Sequence, residues 1–201
     1  MRIPYVVSWS GEEPKPATLI TIPRSGIAYT DECLLDRDKH GVLWPRVPSL
    51  PGRGRPEFGK IHPLRQRRAM TKLLCAICAG QPDHNDQGTL WLVRDFRDWP
   101  NWPEGMACSE PPVCLPCAQL SVRHCPNLRQ GYAALRVRHS EVAAVYGIRY
   151  RPTLPFPTAI GGDIVPLDDP ALRWTHAAHL IRELRGCTIV RLDQHCGLGV
   201  R

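Results

Sequence analysis

The chain carries two Cys-x-x-Cys pairs, "CAIC" at 75–78 and "CLPC" at 114–117, with residues 79–113 between them. No other feature restricts the fold as much. A Cys-x-x-Cys turn presents two sulfurs from one tight loop, with backbone amides turned toward them. Two such turns supply the four ligands of a tetrahedral structural zinc site and draw distant parts of the chain to one point. Cys75, Cys78, Cys114 and Cys117 are therefore the expected ligands of a structural Zn2+. Buried free thiols or a redox dithiol are the competing readings. Redox chemistry fits less well, because neither pair sits in the strand-to-helix context of a thioredoxin-like unit.

The chain has nine cysteines, an odd number, and its first residues, "MRIPYVVSWSGEEPK", lack the apolar core of a secretory signal. Both point to a cytoplasmic protein with reduced thiols rather than a disulfide framework. No run approaches the roughly 18 apolar residues of a membrane span, so no membrane partner is expected. Spare ligands stand near the pairs: His84, Cys108, His124 and Cys125. Each could substitute for a cysteine or build a second site. The simpler reading is packing for the cysteines and solvation for the histidines. Cys33, Cys187 and Cys196 read as small apolar packing residues.

The sequence reads as α+β, with short-stranded sheets, a zinc-stapled treble-clef or zinc-ribbon-like subdomain and a C-terminal strand–helix–strand unit. Residues 1–50 are β-rich: "YVVSW" and "TLITI" are β-branched runs separated by turn-forming residues, and "GIAYTDECLLDRDKHGVLWPR" holds two further strand-like pieces. Residues 51–61 form a basic linker rich in Pro and Gly. Residues 62–130 are a basic helix plus the zinc module. The helix starts at Pro63, a favoured first helical position. Met70, Leu73 and Leu74 share one face, and Arg65, Arg68 and Lys72 form a ridge on the other. Residues 131–201 are an α+β segment, either separate or joined with 1–50 into one domain. "YAALRVRH" alternates as a strand, and "EVAAVYGIRYRP" leans toward a second. In "GGDIVPLDDPALRWTHAAHLIRELRGCTIVRLD", Asp168 or Asp169 reads as an N-cap. A helix is expected to follow to about Arg185, stopped by Gly186.

Charge is concentrated. Arg53, Arg55, Lys60, Arg65, Arg67, Arg68 and Lys72 face one acid, Glu57, within residues 51–74. The chain's net charge of +7 falls by two when four thiolates bind a dication, so the local cluster is the better pointer to a polyanion partner. Arg53, Arg55, Arg65, Arg67, Arg68 and Lys72 are the candidate nucleic-acid-binding residues. The bland alternative is a solvated helix face.

From the basic helix through "CAIC", a strand-containing insert and "CLPC" opening a helix, residues 62–128 resemble the zinc-stapled treble-clef scaffold of HNH endonucleases. That resemblance implies a zinc-framed hairpin that meets DNA. The family's catalytic His pair on the hairpin strand has no counterpart, since the matching strand reads "LWLVRDF". His84 and His124 are the remaining candidates for catalysis. The resemblance therefore implies a binding scaffold more naturally than a nuclease, with DNA preferred to RNA.

No phosphate loop, dinucleotide fingerprint, nucleophile elbow or His-Glu-x-x-His motif occurs. On a helix over 170–185, His176, His179 and Glu183 would share a face and could ligate a metal; a solvated polar face is the plainer account. Trp91, Trp99 and Trp102, interleaved with Arg94 and Arg97, either cap the small zinc subdomain or stack bases. The functional expectation is a zinc-stabilised nucleic-acid-binding protein without catalysis. A zinc-dependent protein-interaction adaptor and a divergent nuclease are the alternatives.

Overall fold

The computed structural model describes residues 2–192; Cys196 lies outside them. In chain order the elements are β1 (Val7–Trp9), β2 (Leu19–Ile22), β3 (Gly26–Tyr29), β4 (Pro56–Ile61), α1 (Pro63–Lys72), β5 (His84–Asn85), β6 (Gly88–Arg94) and β7 (Met106–Cys108). They continue with α2 (Leu115–His124), β8 (Tyr132–Arg151), β9 (Thr158–Pro166) and β10 (Thr175–Val190). β1 pairs with β4 and β2 with β3, each as a two-stranded sheet. The remaining strands form one sheet in the order β5-β6-β8-β10-β7, with β9 on β8.

The chain divides into two compact units. Of the described residues, one comprises 2–5, 68–141 and 182–192, and contains both Cys-x-x-Cys pairs; the other comprises 6–67 and 142–181. The expected boundaries at 50, 61 and 130 do not coincide with this division. It cuts instead through α1, β8 and β10.

In the cysteine-bearing unit the core is a sheet face of Trp91, Val93, Ala133, Leu135, Val137 and Leu184, all buried. Alternation of inward residues at 133, 135 and 137 against 91 and 93 follows from the two-residue period of a strand. Gly88 opens β6 with φ +111, and a Cβ there would collide with the Val137 carbonyl. Only glycine fits so close a backbone approach. Arg136, 1% exposed, forms an ion pair with Asp83 and donates to the Gly88 carbonyl at 3.3 Å. It ties the hairpin that follows the first cysteine pair to β8.

The other unit packs Ile27, Tyr29 and Leu43 into an apolar cluster, with Val145, Leu180 and Ile181 also buried, and is laced with ion pairs. Arg65 is 2% exposed. Its guanidinium meets the Glu12 carboxylate at 2.5 and 2.7 Å and the Val7 carbonyl at 2.8 Å. Burial pushes the Glu12 carboxyl upward, but Arg65 and the N–H groups of Trp9 and Leu50 outweigh it and hold the carboxyl at about 2. Arg46 bridges Asp31 and Asp36 at 2.8 and 2.6 Å and lies over the Tyr29 ring.

Two expectations are corrected here. The first is the linker at 51–61: residues 56–61 are β4, antiparallel to β1, with Ser8 opposite Glu57. Backbone pairs between Ser10 and Arg55 and between Gly11 and Arg53 extend the association. The second is the C-terminal helix. Asp169 does cap a turn, accepting from the Ala171 N–H at 2.7 Å, but Pro170–Trp174 is only a 3-10 turn, and Thr175–Val190 is a 16-residue strand. Strand wins because β10 has ladders on both sides, a tertiary gain that overrides local helical spacing. At Leu180 the side-chain amide of buried Gln66 takes the place of a strand neighbour, donating to the Leu180 carbonyl at 2.8 Å and accepting from its N–H at 2.9 Å. On a strand, His176 and His179 fall on opposite faces. His176 shares a 2.7 Å hydrogen bond with the Tyr29 hydroxyl, and His179 stacks on Tyr146. The trio expected with Glu183 does not form.

Candidate metal centre

α1 begins at Pro63 as its sequence predicts and ends in a Schellman turn. Leu73 takes a left-handed φ of 50°, and the Leu74 N–H donates to the Ala69 carbonyl at 2.9 Å. This abrupt stop turns the chain into the first cysteine loop. The Ala79 N–H donates to the Cys75 carbonyl and the Cys75 N–H to the Gly80 carbonyl, at 2.9 and 2.8 Å, closing the knuckle. The second knuckle is held next to the first, since the Ala76 N–H donates to the Pro112 carbonyl at 2.9 Å and the Asp83 N–H to the Val113 carbonyl at 3.0 Å. Cys114 is the N-cap residue of α2, with Pro116 in the first turn, and Cys117 lies one turn into that helix.

The one ligand atom each of Cys75, Cys78, Cys114 and Cys117 offers lies within 4.8 Å of all the others. Cys78 Sγ and Cys114 Sγ are 3.8 Å apart. A tetrahedron with metal–sulfur bonds of about 2.3 Å has edges of about 3.8 Å, so this spacing is that of two ligands on one ion. Cys75 and Cys117 are buried, while Cys78 and Cys114 are half-buried. Burial pushes the Cys75 and Cys117 thiols up. Burial also raises Cys78, but the Gly80 backbone and the neighbouring sulfurs reverse the direction and lower it. Such crowding of sulfurs is unfavourable as four thiolates alone and favourable around a cation, which removes the repulsion. The four side chains could thus hold a metal ion.

The spare ligands stay outside this group. Cys108 is buried on β7 and turns its Sγ to the Glu110 carbonyl at 3.4 Å. His84 is exposed on β5 and bonds Thr89 Oγ1 at 3.0 Å. His124 ends α2, exposed, with half-buried Cys125 beyond it. Cys187 is half-buried against the apolar core, as expected, whereas Cys33 is exposed.

The expected basic set is divided by the fold. Arg53, Arg55, Arg68 and Lys72 are exposed, and Arg68 also donates to the Tyr5 hydroxyl at 3.1 Å. Arg67 is half-buried with its guanidinium over the Trp44 ring at 4.6 Å. Arg65 is consumed by Glu12, so the ridge drawn from helical spacing loses its first member. The tryptophans divide as well. Trp91 is buried and donates to the Glu110 carbonyl at 2.9 Å, and Trp102 packs on the same core. Trp99, 60% exposed, stacks on Phe96 with ring centres 4.5 Å apart.

Among the described residues no helix is long and apolar enough to cross a membrane. No protein-family model, curated protein or solved structure matches the chain.

Proposed function

We propose that this chain is a nucleic-acid-binding protein built around a structural Zn2+. A ligand set of four sulfurs suits zinc as a staple rather than as a reaction centre, which keeps an open position. The order of knuckle, β5–β6 hairpin, β7 and a second knuckle opening α2 is compatible with a treble-clef arrangement. The observation that carries the binding reading is the exposure of Arg68 and Lys72 on α1, the helix whose Schellman stop delivers Cys75. In the other unit Arg53 and Arg55 are likewise exposed. None of these four makes an ion pair among the described residues. Duplex DNA is the first choice of ligand, through the resemblance described above.

Fluorescence anisotropy with a labelled duplex over a range of salt concentrations tests the reading. Two to four neutralised phosphates give a log–log slope between about −2 and −4. Binding that is absent, or indifferent to salt, rejects it. A second reading, a protein-interaction adaptor, draws on Trp99, whose exposed ring on Phe96 is the kind of aromatic anchor that dominates protein interfaces. Capture of one partner that survives nuclease treatment and is lost in Trp99→Ala would favour it.

A further inference from the structure

Each cysteine knuckle contributes one shielded and one accessible sulfur. Cys75 and Cys117 are 0% and 4% exposed, whereas Cys78 and Cys114 are half-buried. The two accessible sulfurs belong to different knuckles and stand 3.8 Å apart, although 36 positions separate them in the chain. Glycine at position 80 leaves one approach to Cys78 open. That glycine is exposed, and a Cβ there would rest 3.4 Å from Cys78 Sγ. Its backbone is outside the left-handed region, so conformation does not demand glycine at this position. The knuckles are also held together apart from any ion, by the Ala76 N–H on the Pro112 carbonyl and the Asp83 N–H on the Val113 carbonyl.

We propose that Cys78 and Cys114 form an oxidation site for hydrogen peroxide, which joins them in a disulfide between the two knuckles and opens the metal centre. The inference rests on the zinc reading above and is independent of the nucleic-acid one. A metal-bound sulfur is already a thiolate, the form that a peroxide oxidises. The Cys78 thiolate attacks one peroxide oxygen, displaces hydroxide and becomes a sulfenic acid. The Cys114 thiolate attacks the Cys78 sulfur, forms the S–S bond and expels the second hydroxide. Two thiolates have then lost two electrons, and two protons from solvent complete two waters. Cys75 and Cys117 alone are half of a ligand set and no longer retain zinc. A bridge inside either knuckle would need one of the shielded sulfurs, and the cross-knuckle bridge needs neither. It asks the pair to close from 3.8 Å to about 2.0 Å, while the backbone bonds keep the knuckles in place. It also joins the same two segments that the ion joined, which a bridge inside one knuckle does not.

The test uses full-length zinc-loaded protein carrying Cys33→Ser, because Cys33 is exposed, lies outside the four-sulfur group and would consume peroxide first. Hydrogen peroxide should release about one zinc for each disulfide formed, read with a chromogenic chelator. Alkylation and tryptic mapping should show peptide 73–94 bridged to peptide 98–123. Fragmentation should place the bond at Cys78 and Cys114 and the alkyl groups on Cys75 and Cys117. Dithiothreitol with added zinc should restore the metal content. Gly80→Val shields Cys78 without changing a ligand, so it should bind the same zinc and release it about five-fold more slowly. Gly80→Ala is read in its place if the larger side chain lowers the metal content. Bridges between Cys75 and Cys78 or between Cys114 and Cys117, or zinc fully retained under excess peroxide, overturn the site and leave the zinc staple standing. Release from both Gly80 variants as fast as from their parent overturns Cys78 as the point of attack. Protein purified without zinc removes the staple and this site together.

Discussion

The cysteine-bearing unit gathers four sulfurs at one point. The other unit has no such sulfur cluster among the described residues and is braced by carboxylate–guanidinium pairs, Glu12 with Arg65, both buried, and Asp36 with half-buried Arg46. Both units bury apolar side chains, and each adds a different kind of cross-link to that packing. The two solutions fail differently. A metal–thiolate site depends on a component from outside the chain and on its removal by chelators. A buried ion pair depends on both partners staying charged, and it leaves an uncompensated charge when either is deleted. The contrast teaches that an arginine's place in the sequence says little about its use. Arg65 and Arg68 are three residues apart on one helix, yet one is structural and the other faces solvent.

The largest effect should come from the metal. Replacing Cys75 and Cys114 with serine, or stripping the ion with a strong chelator, should remove on the order of 10 kcal/mol of metal-linked folding free energy. Hydrogen exchange should rise through residues 68–141 and be far less affected in 6–67. Uniform loss of protection across both units would erase the contrast. Next, Arg65→Met should cost about 3–5 kcal/mol in urea unfolding, because Glu12 is left buried and unpaired. Lys72→Ala, on the same helix, should stay within about 0.5 kcal/mol. Equal effects of the two would mean that Arg65 is as solvated as its helical spacing suggests.

The smallest effect is pH-dependent and has a definite sign. The folded-state Glu12 carboxyl sits at about 2, below its ordinary value of 4.5. Its contribution is therefore complete above pH 4.5 and is lost as pH falls toward 2, on the order of 3 kcal/mol in all. The stability gap between the wild type and Glu12→Gln, measured in parallel urea titrations, should close over that window. A gap that is constant with pH would show that the carboxylate is not held charged by Arg65.

Much of the local architecture was legible in the sequence. Pro63 marks the start of α1, the β-branched runs at 7–9 and 19–22 are strands, and the two Cys-x-x-Cys turns identify the only four-sulfur cluster among the described residues. These signals act within a few residues. What was not legible is non-local. Glu12 lies 53 positions from Arg65, and no spacing rule connects them. Residues 170–185 carry a genuine cap and helical apolar spacing, yet β-ladders on both sides and the Gln66 amide make a strand the better structure. The Pro- and Gly-rich composition of 51–61 suggested a linker because it could not reveal that β1 offers those residues a pairing edge.

Native mass spectrometry of the full-length protein, joined to thiol alkylation, tests the central claim most directly. The account requires one zinc per chain, with Cys75, Cys78, Cys114 and Cys117 protected while exposed Cys33 reacts. A chain that flies at its metal-free mass, with those four thiols alkylated as readily as Cys33 in the folded state, would contradict it.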